Sequence, residues 1–424
     1  MNYLFIVTES VSANGICARA VMEVLARNHG VWCLTAREPG MESRFCENGV
    51  NYVTVRSRLT RRIRAVASRR EGSSWQKNLL GAAAYGLERL ELLVSLGRWP
   101  LLSPRFARDL EAAAEDLCRR EDIGCLVPVY TQIDALIAAH GVKERHRDIL
   151  YIPWFLDSLS GGYGLRIFSP ARTRRMGLAW ERKLLDTAEH ILVMESSRTH
   201  HDTYSAGEGY YGRLRYVDLP LLRTRIPEPG EPLMDPASRN LVYVGTLPAG
   251  IRSPEYLLEV FRHLDGRYHL WFIGDDNCDL VRTAARREPR IHVLGRRDHG
   301  TALRYEAQAH ILVNIGSRNP NMTPSKIFEY LSFGKPILST VVSDRDPCRG
   351  YLQQYPLALI LDECEDTARA AARVAEFAHR TAGVRADPDL ARQLFRRNTP
   401  EELVSFLDSL DRRCVCENSA HQFP

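Results

Sequence analysis

Thr323-Pro324-Ser325-Lys326-Ile327-Phe328-Glu329-Tyr330-Leu331-Ser332-Phe333-Gly334-Lys335-Pro336-Ile337-Leu338 reads as one short helix feeding a buried strand. Thr323 suits the N-cap, and Pro324 suits the first helical position, whose N–H has no intrahelical partner. Gly334 offers a left-handed stop, Pro336 forbids continuation, and the run from Ile337 to Val342 predicts an apolar strand. Ser325 and Lys326 put a hydroxyl and a cation beside the unpaired N–H groups of the helix start, an arrangement that favours an anion such as a diphosphate. Glu329 shares that face one turn on, where a carboxylate can accept from a pair of sugar hydroxyls. Phosphate at the helix start and ribose one turn later describe a site for a nucleoside diphosphate.

The ordered run from Pro324 to Ile337 resembles the donor-site signature of GT-B-fold glycosyltransferases, in particular the retaining glycosyltransferase-4-like group. The resemblance implies two Rossmann-like domains facing across a cleft. It also implies a nucleotide-diphosphate sugar as donor substrate, no bound cofactor and no metal. In that group the Ser325–Lys326 region holds the diphosphate and Glu329 the nucleotide ribose. Many members carry a Glu eight positions before the ribose-binding one. Here Asn321 stands there, an amide without charge; with Met322 and Thr323 it is counted among the donor-binding residues.

The 424-residue chain is long enough for two domains, and its composition, 45% apolar and 26% charged, is that of a globular protein. The formal charge of +5 is unevenly spread. Arg56, Arg58, Arg61, Arg62, Arg64, Arg69 and Arg70 crowd a segment with no acid between Val53 and Glu71. An apolar stretch follows, with Trp75, Leu79, Leu80, Leu90, Leu92, Leu93, Leu96, Trp99 and Leu102. Two readings stand side by side: a face for an anionic membrane surface, or a solvated arginine loop before an amphipathic helix. No nucleic-acid-binding module is recognisable in the segment, which argues against that class of partner. No run reaches the roughly eighteen to twenty apolar residues that span a bilayer. The N-terminus lacks a basic leader and reads at once as a strand. The ten scattered cysteines suit a reducing compartment. Together these features predict a cytoplasmic protein, with the inner face of the cytoplasmic membrane as the alternative site for the basic segment. Cys414-Val415-Cys416 lacks the second pair that would make a metal motif.

Short apolar runs alternate with helical patterns along both halves, which predicts parallel sheets covered on both faces. Pro220, Pro227, Pro229, Pro232 and Pro236 punctuate the middle. The expected organisation is an acceptor-binding domain over 1–220, a linker over 221–238, a nucleotide-sugar-binding domain over 239–395, and a C-terminal crossing helix and tail over 396–424. Val242 to Thr246 reads as a strand ending at a glycine turn, and Phe272 to Asp275 repeats the device. Gly245, Thr246 and Gly274 are therefore placed where backbone approaches phosphate. The family usually sets a basic residue after the first such turn, and Arg252 is the candidate.

Ligands of open α/β sheets lie beyond the carboxyl ends of the strands. In the first half, three loops qualify: Ser12-Ala13-Asn14-Gly15, Tyr130-Thr131-Gln132, and Trp154 through Gly162. Asn14 and Gly15 are expected near the donor. Trp154, Phe155 and Asp157 suit a carbohydrate or a polyprenyl-linked headgroup, with Asp157 as the catalytic acid to test. Glu195-Ser196-Ser197 is a further candidate. Lys326 and Arg252 complete the expected catalytic set, through electrostatic support of the departing diphosphate. Asp344-Arg345-Asp346 has the spacing of a metal-binding pair but reads as a loop. His200-His201 reads as an exposed pair with no third ligand. The leading expectation is a hexosyltransferase of cell-surface polysaccharide synthesis. A sugar-nucleotide epimerase of the same fold, and a catalytically silent nucleotide-sugar-binding protein, are the alternatives.

Overall fold

The structure is a computed structural model. It describes residues 1–420 except 11, 39, 64–73, 96–98, 101, 163, 166, 223–227, 277–278 and 321–323. The expectations for Arg64, Arg69, Arg70, Leu96, Asn321, Met322 and Thr323 lie outside the described residues.

Contacts divide the chain into two compact units, Met1–Pro220 joined by the segment from Pro400, and Leu221–Thr399. In the first unit the elements run β1 (Asn2–Val7), α1 (Ala13–Leu25), β2 (Gly30–Ala36), β3 (Arg44–Glu47), β4 (Val50–Val55), α2 (Ser74–Ser95), α3 (Pro104–Arg120), β5 (Ile123–Pro128), α4 (Ile133–Arg145), β6 (Leu150–Tyr151), β7 (Trp154–Phe155), α5 (Pro170–Leu185), β8 (Ile191–Met194), α6 (Arg198–Tyr204) and β9 (Leu214–Val217). The main sheet has the order β3-β4-β2-β1-β5-β6, and β7-β8-β9 form a second sheet. Tyr3 to Val7 of β1 are wholly buried because the strand lies inside the sheet with both faces covered. Only β3 runs antiparallel to its neighbour, on the polar outer edge.

The second unit contains β10 (Arg239–Val244), α7 (Glu255–Arg262), β11 (Tyr268–Ile273), α8 (Leu280–Ala285), β12 (Ile291–Gly295), α9 (His299–Gln308), β13 (Ile311–Ile315), α10 (Lys326–Ser332), β14 (Ile337–Val341), α11 (Pro347–Leu352), β15 (Ala358–Asp362), α12 (Thr367–Arg380) and α13 (Pro388–Leu394). Its sheet is parallel throughout, ordered β12-β11-β10-β13-β14-β15. That order reverses between β10 and β13, the switch point at which doubly wound sheets bind ligands. The last helix, α14 (Pro400–Ala420), belongs to the first unit and packs on α1.

The helix of the Thr323–Leu338 stretch begins two residues later than a cap at position 323 predicts. Ser325 takes the N-cap position with no side-chain cap bond, and α10 begins at Lys326. Gly334 stops it with φ +62°, a conformation that only glycine adopts without strain.

Candidate active site

Among the described residues, the turns and the helix expected to face phosphate in the second unit lie at the carboxyl end of its sheet. The turns after β10 and β11 interlock: Gly245 N donates to Ile273 O at 2.9 Å, and Leu247 N to Asp275 O at 2.9 Å. At Gly274 (φ +138°) a Cβ would stand 2.0 Å from Gly245 O, so only glycine lets the two turns lie this close. Thr246 is exposed at the rim of this cradle.

Across the switch point, Arg318 N donates to Ile251 O at 3.0 Å, tying the loop after β13 to the loop that carries Arg252. The buried Nε of Arg252 has no hydrogen-bond partner among the described residues. Burial pushes the nearby Asp346 carboxyl up, and the charge of Arg252 opposes the shift. Asp346 itself is used structurally, accepting from Ser317 N at 3.0 Å and Cys348 N at 2.9 Å, while Asp344 is 96% exposed. The Asp-Arg-Asp run is thus a helix cap and a surface loop.

Lys326 and Glu329 share one face of α10, as their spacing requires, and are joined to each other. Lys326 Nζ lies 2.5 Å from Glu329 Oε1 and 3.2 Å from Glu306 Oε1 of α9. The ammonium is therefore committed to two carboxylates and does not stand open beside the helix start. Burial works against its charge, and the two carboxylates outweigh burial and hold its pKa above the ordinary value. Ser325 is half-buried at the helix start. Tyr330 OH accepts from Val244 N at 2.9 Å, locking α10 to the end of β10 beside Gly245. Sequence reading missed Glu306. Its one signal is a carboxylate at the core-facing spacing Ala302, Leu303, Glu306, Ala307 of α9.

In the first unit the three predicted loops meet. Asn14 Nδ2 donates to Asp157 Oδ2 at 2.8 Å and to Tyr130 O at 3.3 Å. Tyr130 N donates to Trp154 O at 2.8 Å, and the Tyr130 and Phe155 rings lie 5.5 Å apart. Burial raises the Asp157 pKa, and the Asn14 bond opposes it. Trp154 is buried in the core and offers no open platform. Gly15 is buried too. A Cβ there would stand 2.2 Å from Glu9 O, and its N–H already donates to Ser12 Oγ at 3.1 Å, so Gly15 closes its own turn. Beside this cluster, Gln132 Nε2 donates to Glu9 Oε1 at 2.6 Å, and Arg61 bridges Glu9 at 3.3 Å and Glu38 at 2.5 Å. Arg58 pairs with the fully buried Asp134. These two arginines of the basic segment thus pair with acids of the first unit. On α2, Leu79, Tyr85, Leu90 and Leu93 are exposed. Glu195 is taken up by Arg198 at 2.5 Å.

His200 and His201 are not the exposed pair expected from sequence. Both are buried, bonding Ser160 Oγ at 2.8 Å and Ser205 Oγ at 3.1 Å. They lie behind the Asp157 loop, whose Ser160 N also donates to the buried Glu181 at 2.9 Å.

No helix among the described residues is long and apolar enough to cross a membrane. Residues 238–376 match the family model described as glycosyl transferases group 1. No curated protein matches the chain. Solved structures of like fold include the apo form of the lipopolysaccharide outer core galactosyltransferase WaaB, at 12% identity and TM-score 0.53, covering 96% of this chain and 100% of that one. Anabaena Alr3699/HepE in complex with UDP-glucose aligns at 11% identity and TM-score 0.59, over 96% and 99%. The α,α-trehalose 6-phosphate synthase of Burkholderia multivorans aligns at 11% identity and TM-score 0.58, over 99% of each chain. Identities this low speak for the fold, and these neighbours share two Rossmann-like domains. The chain has the GT-B fold, and its residues 238–376 are similar to the glycosyl transferases group 1 model.

Proposed function

We propose that the protein moves a sugar from a nucleoside-diphosphate sugar to a carbohydrate or polyprenyl-linked acceptor, with retention and without a metal, in cell-surface polysaccharide synthesis. The observation that carries the reading is the grouping at the β10/β13 switch point. It joins a glycine cradle at Gly245 and Gly274, an unpartnered guanidinium N–H on Arg252, and a Glu329 carboxylate held by Lys326. The bond from the anomeric carbon to the diphosphate breaks, and a bond to an acceptor hydroxyl forms. Negative charge then collects on the leaving diphosphate, where Arg252 and the backbone N–H groups after Ser325 stabilise it, while Lys326 holds Glu329 in place. Glu329 accepts from the ribose hydroxyls. Asp157, its pKa raised by burial, stands at the carboxyl end of the first unit's sheet as the acid or base for the acceptor. The exposed leucines of α2, with the exposed Arg56 and Arg62 before it, favour work on the cytoplasmic face of an anionic membrane.

The UDP-glucose bound to the Anabaena neighbour makes UDP the first nucleotide to try. Calorimetry with UDP, GDP, ADP and dTDP on wild type and Glu329→Ala is the test. One nucleotide should bind, and its affinity should fall at least tenfold in the variant, the scale for a lost charged hydrogen bond. Binding of none of the four sinks the donor-site reading. Turnover of a nucleotide sugar with no acceptor present, followed by NMR, would instead favour an epimerase.

A further inference from the structure

Glu306 is fully buried, Glu329 nearly so, and the ammonium of Lys326 pairs with both. The two carboxylates also hydrogen-bond each other, which requires one of them to keep a proton. Glu306 Oε2 has no hydrogen-bond partner among the described residues, so the bond between the two carboxyl groups runs through Oε1, the oxygen that also accepts from Lys326. Burial first, and the neighbouring Glu329 charge next, push the Glu306 pKa well above the usual carboxylate range, against the pull of Lys326. The cluster is then neutral: an ammonium, one carboxylate and one carboxylic acid. Were Glu306 ionised, it would carry a net negative charge where the diphosphate must sit.

We propose that Glu306 is a positioning residue of the donor site: as a neutral acid it donates to Glu329, so that Lys326 and Glu306 together fix the ribose-binding carboxylate without adding charge. The inference rests on the donor-site reading above. It is built into the packing, since Lys335, just beyond α10, reaches back to Ala309 O at 2.5 Å and anchors the C-terminal end of α9, one turn from Glu306. The groups that face Glu306 from α10 are Lys326, Glu329 and Tyr330. From β10, on which α9 packs, the nearby titratable group is Tyr243, and the strand's one charged side chain, Arg239, lies at its far end beside His310. The shared proton is therefore the group whose loss changes the charge of this site.

Calorimetric affinity for UDP, GDP, ADP and dTDP, measured from pH 6 to pH 9.5 on the full chain, tests it. In wild type the affinity for the bound nucleotide should fall on the alkaline side, as the shared proton leaves and the cluster turns negative. Glu306→Gln keeps a donor and cannot ionise; it should bind within about twofold of wild type at neutral pH and lose the alkaline fall. Glu306→Leu keeps the bulk and removes the donor; it should bind about tenfold more weakly while melting cooperatively. Wild-type affinity in Glu306→Leu overturns the proposal, as does an unchanged alkaline fall in Glu306→Gln. If wild type binds no nucleotide, the donor-site reading falls and this inference with it.

Discussion

At the scale of single residues, the two units present different chemistry. The second unit's candidate site is built from charge: an unpartnered guanidinium N–H, an ammonium and two carboxyl groups. The first unit's site turns on one acid, Asp157, held by Asn14 at 2.8 Å and shielded enough to raise its pKa. If Asp157 handles the acceptor proton and takes no part in nucleotide binding, the two functions separate on substitution. Asp157→Asn keeps the shape and the Asn14 contact. It should lower turnover by about a hundredfold, the lower range for a general acid or base, and leave nucleotide affinity unchanged by calorimetry. Full turnover in this variant would remove Asp157 from the chemistry. Asp157, Asn14, Lys326 and Glu329 were all legible, because each stands at a strand end or at a fixed helical spacing. Glu306 was not. Its partner lies twenty residues on and meets it only through tertiary packing, and the helical pattern shows no more than a carboxylate in an apolar row.

At the scale of elements, unbroken apolar runs made the inner strands readable, since a strand buried on both faces has no polar alternation to interpret. The pieces that escaped are short or polar: β3, whose side chains are mostly exposed, and the two-residue β7. The surroundings of α6 escaped as well. His200 and His201 look like solvated polar residues in sequence, yet they form the buried floor under the Asp157 loop. Burial, then the charge of Arg174, holds the His200 pKa down at about 4. Burial, then His200, does the same to His201, also at about 4. Unfolding frees both to titrate near 6.5, so the native state binds fewer protons between those values. Their contribution is whole above about pH 6.5 and is lost as pH falls towards 4. Glu115 and Asp265, held down at about 2, give up theirs only at lower pH. The two histidines should therefore lower the melting temperature by on the order of 5 °C between pH 7 and pH 4.5, against the buried acids Asp134, Asp157, Glu181, Asp346 and Glu363, whose raised pKa works the other way. The double variant His200→Gln, His201→Gln should flatten that slope in part, with His140, His292 and His310, also depressed by burial, supplying the rest. An identical slope in the variant would place the acid sensitivity elsewhere.

At the scale of the whole molecule, the chain leaves the first unit at Pro220 and returns to it at Pro400. The return is substantial. Leu403, Val404, Leu407 and Leu410 of α14 are buried, Tyr3 OH donates to Leu407 O at 3.4 Å, and His29 Nε2 meets Asp408 Oδ1 at 2.9 Å. The first unit is thus made of two distant pieces of sequence, whereas the second is continuous and holds its own sheet, its own apolar core and every group of the donor cluster. The two should behave differently when cut apart. Residues 221–399 expressed alone should fold cooperatively and bind the same nucleotide within about threefold of the full chain, because Gly245, Arg252, Gly274, Glu306, Lys326 and Glu329 all lie inside them. Residues 1–220 expressed alone should melt lower than the same segment joined by a flexible linker to residues 400–420, since without α14 the apolar face of α1 is left uncovered. Calorimetry and thermal melts on the three fragments decide the matter. A folded 221–399 fragment that binds no nucleotide, while the full chain does, would mean that the first unit supplies part of the donor site.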